Sequence, residues 1–174
     1  MPESAELRIR RRHRLREKEV EALAANLDNL MGTRTFSTRD KIEVAEVYGL
    51  EQSIFLLDND IVAIEFKGGP FLYIAGILRY GATRRFVTVD MGAVPFVTNG
   101  ADIMGPGIVD GDHAVREGET VWIRDVKYGK PLAIGSAIVN GDMFGTKKAG
   151  KFVLSHFHIG DRLWKLSQHL RGSA

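Results

Sequence analysis

Glycine is concentrated in the second half of this 174-residue chain and narrows the folds which that half can adopt. Twelve of the nineteen glycines lie between residues 92 and 160. At this density, glycine is typical of the tight turns and bulges that connect short strands. The intervening apolar runs predict strands at 120–123, 132–139, 152–154 and 163–166. We therefore predict a mostly β barrel with one short helix over residues 86–170.

The first half carries a different pattern. Alternating apolar and basic residues at 7–10 predict a half-buried strand. Apolar residues recur at helical spacing over 17–31, and Gly32 follows as a helix stop. Two apolar runs, 54–57 and 61–64, flank an Asp-Asn-Asp segment of hairpin-turn composition. A small α+β unit with an antiparallel sheet is the expected result.

The small, polar and basic segment 81–85 marks the predicted boundary between the two halves. We assign residues 1–83 to a small α+β domain and residues 84–174 to the glycine-rich, mostly β domain, so the fold class is α+β. With 44% hydrophobic and 26% charged residues, the chain has the composition of a globular protein.

Basic residues gather near both ends of the chain. Residues 7–18 hold seven Lys/Arg against one acid, and residues 143–174 hold six against one. Residues 19–142 hold eleven Lys/Arg against eighteen acids. Two basic ends around an acidic middle predict contact with a polyanion, provided that they fold onto one face. Uneven charge without a function is the alternative that this pattern leaves open.

Several kinds of chemistry are excluded or disfavoured. The absence of cysteine excludes a disulfide scaffold, a zinc ribbon and a thiol nucleophile. Segment 141–147 lacks the spacing of a phosphate-binding P-loop. His156 and His158 share a strand face without a nearby third ligand for a metal. Asp110 and Asp112 supply too few oxygens for a calcium loop. We expect no metal, no cofactor and no catalytic group.

The amino-terminal segment is basic and has no apolar core, so we do not expect it to be a secretory signal. The longest apolar stretches are too short, or too interrupted by charge and glycine, to cross a bilayer. The lack of cysteine agrees with a reducing compartment. We expect a cytoplasmic protein with no membrane partner.

Segment 89–108 carries a distinctive order of small and apolar residues. It runs from Asp-x-Gly-Ala through an apolar helix to Gly-Ala and then to Met-x-Pro-Gly. This order resembles the signature of the PUA domain, the RNA-binding module named after pseudouridine synthases and archaeosine transglycosylases. The matching residues are Asp90, Gly92, Ala93, Gly100, Ala101, Met104, Pro106 and Gly107. The resemblance covers about residues 86–168 and implies a carboxyl-terminal PUA pseudobarrel.

The residues before this region are similar, more weakly, to the pre-PUA domain of the malignant T-cell-amplified-sequence proteins and their fungal translation-machinery-associated relatives. A strand, a helix, a hairpin and then Gly69-Pro70-Phe71 precede the PUA unit in the same order. This resemblance implies a non-catalytic protein that acts on the small ribosomal subunit in initiation, reinitiation or recycling. It also implies an RNA ligand, rRNA or tRNA, and an initiation-factor-like partner protein.

The end of the predicted short helix, residues 91–98, is the first candidate site. We expect Asp90 to cap this helix, and Gly100 and Ala101 to leave backbone N–H groups uncovered by side chains at its end. Such groups can contact phosphates or bases at close range. A purely structural role for the turn at 100–102 is the alternative.

In PUA domains the nucleic acid lies across this helix and loop and a neighbouring late strand. The resemblance therefore implies a role for the basic residues of the late region. We expect phosphate contacts from the lysines, and hydrogen bonding or base stacking from the histidines. The predicted RNA-binding residues are Gly100, Ala101, Asp102, Lys147, Lys148, Lys151, His156, His158 and Lys165.

The amino-terminal arginines form a second candidate surface. The residues that would share one side of a regular strand are Arg8, Arg10, Arg12 and Arg14. We predict that this side contacts rRNA or an acidic protein partner. A solvated edge strand, whose charge discourages aggregation, is the alternative.

Three functions follow from these observations. RNA binding in translation, at the small ribosomal subunit or on tRNA bound there, is the leading hypothesis. The second is an accessory RNA-binding subunit of a tRNA or rRNA modification system of the pseudouridine or archaeosine type. The third is a small-molecule enzyme on a PUA-like barrel, which would need a buried pocket with a perturbed titratable group.

Overall fold

The computed structural model describes residues 5–66 and 68–173. The chain divides into two compact units. The first unit comprises the chain up to Ala82 together with the stretch from Arg162, and the second unit is Thr83–Asp161. The chain therefore leaves the first unit, builds the second and then returns to the first.

The first unit is built on a five-stranded antiparallel sheet. Its strands are β1 (Arg8–Arg14), β2 (Ile42–Tyr48), β3 (Ile54–Leu57), β4 (Asp60–Phe66) and β5 (Gly69–Leu72). They lie in sequence order across the sheet, each hydrogen bonded to the next. Two helices, α1 (Glu17–Met31) and α2 (Ile74–Tyr80), complete this part of the chain and contact β5 and β4.

Local sequence signals in the first half are confirmed. Helix α1 spans the predicted residues, and its buried side chains are Val20, Leu23, Ala24, Leu27 and Met31. Gly32 ends this helix in the left-handed conformation and donates its N–H to the Asp28 carbonyl. Strands β3 and β4 form the predicted hairpin, which turns through Asp58 and Asn59. Both of these residues have positive φ, as a two-residue turn of this type requires.

The second unit is built on a six-stranded sheet around a dense apolar core. Its strands are β6 (Phe86–Val89), β7 (Ile103–Met104), β8 (Ile108–Gly111), β9 (Thr120–Asp125), β10 (Pro131–Ala137) and β11 (Lys151–His158). Their order is β7-β11-β10-β9-β6-β8, and β6 and β9 are parallel whereas the other pairs are antiparallel. A single helical turn, α3 (Val94–Val97), follows β6. The predicted α+β class, with its mostly β second unit, is confirmed.

The predicted strand at 163–166 is wrong, because this stretch lies in a helix, α4 (Arg162–Gly172). Leu163 and Leu166 are buried and one helical turn apart, which is the spacing of an amphipathic helix. The helix contacts β4, and Arg171 Nε lies 3.0 Å from the Asp60 carboxylate. It thus belongs to the first unit, whereas the sequence assigned all residues after 83 to the second. None of the described helices is long and apolar enough to cross a membrane.

The row of arginines predicted on β1 is broken by a bulge between Ile9 and Arg11. A bulge reverses the alternation of side chains along a strand, so Arg8, Arg10, Arg12 and Arg14 do not share one side. Arg8 and Arg10 both lie over the Tyr48 ring, at 5.0 and 5.6 Å from its centroid. Arg12 instead donates to both carboxylate oxygens of Glu43, at 2.9 and 2.6 Å, and to Asn59 Oδ1.

This hydrogen-bonded pair predicts a pH-dependent contribution to stability. The Arg12 side chain lowers the pKa of Glu43 from its ordinary value of 4.5. The contribution is therefore complete above that value and is lost as the pH falls through the lowered pKa. We expect Glu43→Gln to reduce the free energy of unfolding by about 1 kcal/mol at neutral pH and by less at about pH 3.

Urea denaturation at the two pH values measures this difference. Glu46→Gln is the control, because Arg10 lies 3.9 Å from Glu46 and both side chains are half exposed. Equal losses from the two variants at neutral pH would contradict a special role for the Arg12 pair.

Candidate nucleic-acid interface

The turn after α3 is closed by its own backbone hydrogen bonds. Gly100 has a φ of +90° and donates its N–H to the Val97 carbonyl at 3.1 Å. Ala101 donates its N–H to the Phe96 carbonyl at 3.0 Å. This pair of bonds is the usual way in which a glycine in the left-handed conformation ends a helix. No side chain takes these two N–H groups in these bonds, but they satisfy the last carbonyls of α3 and are therefore not open to a phosphate or a base.

The amino end of the same helix is organised by Asp90. Its Oδ1 accepts the Ala93 N–H at 2.9 Å, as predicted. The helix itself is shorter than predicted, because residues 91–93 and 98–100 form turns on either side of α3. Val97 is buried and Phe96 is 69% exposed, so the single helical turn presents an aromatic ring to solvent.

His158, at the end of β11, lies against this turn. A Cβ added to Gly100 would be 2.9 Å from His158 Nε2, so any other residue at this position would require the ring to shift. His158 Nδ1 lies 2.9 Å from the Ile159 carbonyl oxygen. Because a carbonyl can only accept, Nδ1 carries the proton in this contact and the neutral ring keeps Nε2 as an acceptor. The structure thus brings Gly100 and His158 together, with a hydrogen-bond acceptor beside the turn.

Asp102 joins the end of this turn to β11. Its Oδ1 accepts the Ser155 N–H at 2.9 Å, and its Oδ2 lies 3.1 Å from Lys151 Nζ. The hydrogen bond from Ser155, followed by that from Lys151, lowers the pKa of Asp102. The ionised carboxylate therefore orients Lys151, whose side chain remains 56% exposed. Asp102 acts here by positioning a lysine, and it adds negative charge beside the surface.

His156 lies at a bulge in β11, where the pairing with β10 shifts register. Its Nε2 is 2.6 Å from Ser136 Oγ on β10. Although the residue as a whole is exposed, packing around the ring lowers its pKa, and the charge of Asp102 opposes this shift. His156 is therefore neutral at physiological pH and offers a ring and a hydrogen bond rather than a charge.

The lysine loop, which we define as residues 147–150, lies against the second part of the signature. Lys147 Nζ donates to the Pro106 carbonyl at 3.2 Å, and Gly105 donates its N–H to the Gly150 carbonyl at 2.8 Å. Lys151 continues from this loop as the first residue of β11 and pairs with Met104. The predicted lysines at 147, 148 and 151 are all exposed and lie together at one end of β11.

Strand β11 connects these groups. The lysine loop precedes its first residue, and His158, beside the Gly100 turn, is its last. Eight residues of extended chain span about 25 Å, so the candidate interface is a strip of roughly this length. Asp102, with its contacts to Lys151 and Ser155, lies along the strip.

Lys165 is not part of this strip, since it lies on α4 of the first unit. There it lines a groove of about 550 Å³ together with Arg8 of the predicted second surface. The other charged or titratable residues of the groove are Glu6, Arg162 and His169. The structure therefore brings together two residues, Arg8 and Lys165, that the sequence had placed on different surfaces.

Sequence reasoning missed the apolar side chains that the strip exposes. They are Phe96, Met104 and Leu154, with exposed fractions of 69%, 45% and 36%. A signal for Phe96 was present in the sequence, because Val94 and Val97 lie one helical turn apart. If these two side chains form the apolar face of a short helix, the residues between them face outward. Among the residues that the structure describes, no cluster of three or more His, Asp or Glu could hold a metal ion.

Comparison with known proteins identifies the second unit. The model of the PUA domain matches residues 85–159. The resemblance seen in the signature is thereby confirmed, although the match ends before the residues 160–168 that we had included.

Relatives of similar length extend the comparison to both units. The chain is 30% identical over 148 residues to an uncharacterized protein of Methanocaldococcus jannaschii, covering 85% of this chain and 87% of the relative. A crystal structure of a hypothetical protein of Pyrococcus horikoshii is 32% identical, with a TM-score of 0.77 and coverage of 90% and 99%. A conserved PUA domain protein of Thermoplasma acidophilum is 26% identical, with a TM-score of 0.75 and coverage of 89% and 98%.

The contact between Gly100 and His158 predicts a large effect of one methyl group. Gly100→Ala must tolerate both a left-handed backbone and the histidine ring. Gly118→Ala is the matched control, because Gly118 has a φ of +92° and no described atom within 4 Å of the added Cβ. We expect a loss of about 1–2 kcal/mol of unfolding free energy for Gly118→Ala and at least about 1 kcal/mol more for Gly100→Ala. Equal losses in chemical denaturation would contradict the close approach.

The environment of His156 predicts its titration. We expect the imidazole NMR signals of His156 to titrate with a midpoint below the ordinary value of 6.5. Asp102→Asn should lower the midpoint further, because it removes the negative charge that favours the imidazolium. A midpoint at or above 6.5 in the unmodified protein, or a rise in the variant, would contradict this account.

Proposed function

The chain belongs to the PUA-domain proteins, and from that premise we propose that it is a non-catalytic, cytoplasmic RNA-binding protein that acts in translation. Its RNA ligand is rRNA of the small ribosomal subunit or tRNA bound there, in initiation, reinitiation or recycling. An initiation-factor-like protein is the proposed partner. The observation that carries the RNA-binding part of the proposal is the exposed lysine loop held against the PUA signature.

Charge supports a phosphate-binding role for this end of β11. Lys147, Lys148 and Lys151 are exposed and adjacent. Backbone bonds fix the loop, and Asp102 orients Lys151, so the cations are placed before any ligand arrives. Lysine binds phosphate as a point charge, and each contact releases counterions from the nucleic acid.

The opposite end of the strip supports contact with bases. His158 Nε2 is an acceptor beside Gly100, and the Phe96 ring is exposed on the same helical turn and loop. An acceptor and an aromatic face are the groups by which proteins contact unpaired bases, and RNA recognition is directed mainly at unpaired segments. The strip therefore combines phosphate contacts at one end with base contacts at the other.

Neutralising the lysines tests this function. We expect the triple change Lys147→Gln, Lys148→Gln and Lys151→Gln to weaken binding of single-stranded RNA and to reduce its logarithmic salt slope by about 2. Filter binding over a series of salt concentrations measures both quantities. A charge-matched control changes three exposed residues of the first unit, Lys18, Arg34 and Lys41, to Gln.

The outcomes are distinct. Equal affinities and salt slopes for the two triple variants would overturn the assignment of the lysine loop. Crosslinking in lysate, followed by sequencing of the attached RNA and identification of the copurified proteins, tests the place of action. Recovery of small-subunit rRNA or tRNA with translation factors would support the proposal, whereas recovery of a pseudouridine or archaeosine modification enzyme would replace it with the accessory-subunit function.

A further inference from the structure

The turn between β9 and β10, residues 126–130, presents an aromatic ring between two positive charges. Tyr128 is 65% exposed, and Val126 beside it is 50% exposed. Lys127 Nζ and Lys130 Nζ lie 5.1 and 5.7 Å from the centroid of the Tyr128 ring. A single exposed apolar residue needs no explanation, but an aromatic ring flanked by two cations is the composition of a nucleic-acid contact.

This turn is held in one conformation by Asp125, which is only 4% exposed. The Asp125 carboxylate accepts the backbone N–H groups of Tyr128 and Lys130. The Asp125 backbone accepts the Gly129 N–H at 3.1 Å and donates to the Lys130 carbonyl at 3.2 Å. Because the backbone is ordered in advance, a ligand that binds the exposed ring loses little free energy to ordering the loop.

The sheet topology places the turn at the same end of the second unit as α3. Strands β6 and β9 are parallel and end together, with Val89 opposite Asp125. Val126 donates its N–H to the Val89 carbonyl at 3.0 Å, and the next residue, Asp90, caps α3. On the other side of the turn, β10 begins next to the end of β11, with Ala133 opposite His158. The turn is thus flanked by the two segments that build the base-contacting end of the strip.

We propose that the β9–β10 turn is a second contact for the same RNA, in which an unpaired base stacks on Tyr128 and the adjacent phosphates lie at Lys127 and Lys130. This inference rests on the proposed RNA-binding function and adds a position at which the RNA must be single-stranded. Both ammonium groups are on flexible stems, so each can move from the ring to a phosphate when a base occupies the ring face. Stacking of this kind tolerates any base, because every base has a π-face.

Substitution of Tyr128 tests the contact. The probe is a single-stranded oligoribonucleotide that carries the fluorescent base 2-aminopurine, compared with a duplex of the same sequence. We expect Tyr128→Ala to weaken binding of the single strand about tenfold, to leave the salt slope unchanged and to spare the duplex. Tyr128→Phe should retain wild-type affinity and the quenching of 2-aminopurine, since it keeps the ring. Leu78→Ala is the matched control, because Leu78 is 62% exposed in the first unit.

The lysines give an independent readout. We expect the double change Lys127→Gln and Lys130→Gln to reduce the salt slope by about 1 while retaining the quenching of 2-aminopurine. The bonds to Asp125 come from main-chain groups, so these variants should keep the turn. A midpoint of thermal unfolding equal to that of the wild type is the control that each variant is folded.

The results separate this inference from the function on which it rests. Two results would contradict the stacking contact: wild-type affinity of Tyr128→Ala for the single strand, or an equal loss of affinity for single strand and duplex. Either result would leave the proposed function intact if the triple variant of Lys147, Lys148 and Lys151 still binds RNA more weakly than the wild type. Loss of affinity in Tyr128→Phe as well would also overturn the stacking contact, because the ring is then not the determinant. A wild-type protein that binds no RNA would overturn both proposals. A protein that binds RNA but uses Tyr128 to bind an acidic protein would overturn the stacking contact alone.

Discussion

The candidate interface depends on a close contact between two backbone segments, at Gly105 and at the lysine loop, with no side chain between them. A Cβ on Gly105 would lie 2.0 Å from the Lys148 carbonyl oxygen and 2.7 Å from the Phe152 ring. Only glycine permits this approach, and the hydrogen bond from Gly105 to Gly150 then fixes it. Because the contact is made by the backbone of the lysine loop, the side chains of Lys147, Lys148 and Lys151 remain exposed at the start of β11. Lys147 donates to the Pro106 carbonyl, and Lys151 is oriented by Asp102.

Three aspartates give this basic surface its order. Each accepts a backbone N–H at the surface: Asp90 and Asp125 from the turns that follow them, at Ala93 and Tyr128, and Asp102 from Ser155 in β11. A carboxylate so placed stabilises the loop through charge-assisted hydrogen bonds. Its negative charge is then directed at the main chain, while lysines and aromatic rings face outward. Acidic residues within the proposed polyanion-binding surface are consistent with that function when they act in this way.

Features that depend on residues close together in the chain could be predicted from the sequence, whereas features that depend on distant residues could not. Helix α1, the β3–β4 hairpin and the PUA signature were predictable because residues within a few positions determine each of them. The strand predicted at 163–166 was wrong because four mostly apolar residues do not distinguish a strand from a short amphipathic helix. The bulge in β1 and the contact between Gly100 and His158 depend on residues distant in the chain. The three lysines are close in the sequence and lie together in the structure, but the pairing of Lys151 with Asp102 was not visible in the sequence.

The return of the chain to the first unit has a consequence for the order of events during synthesis. Residues 83–161 form a unit with its own core, so they can fold as soon as they leave the ribosome. The first unit has its five strands by then, but the apolar face of α4, with Leu163 and Leu166, is translated only afterwards. The first unit is therefore begun first and completed last. A nascent chain halted before residue 162 would expose the surface of β4 that α4 covers.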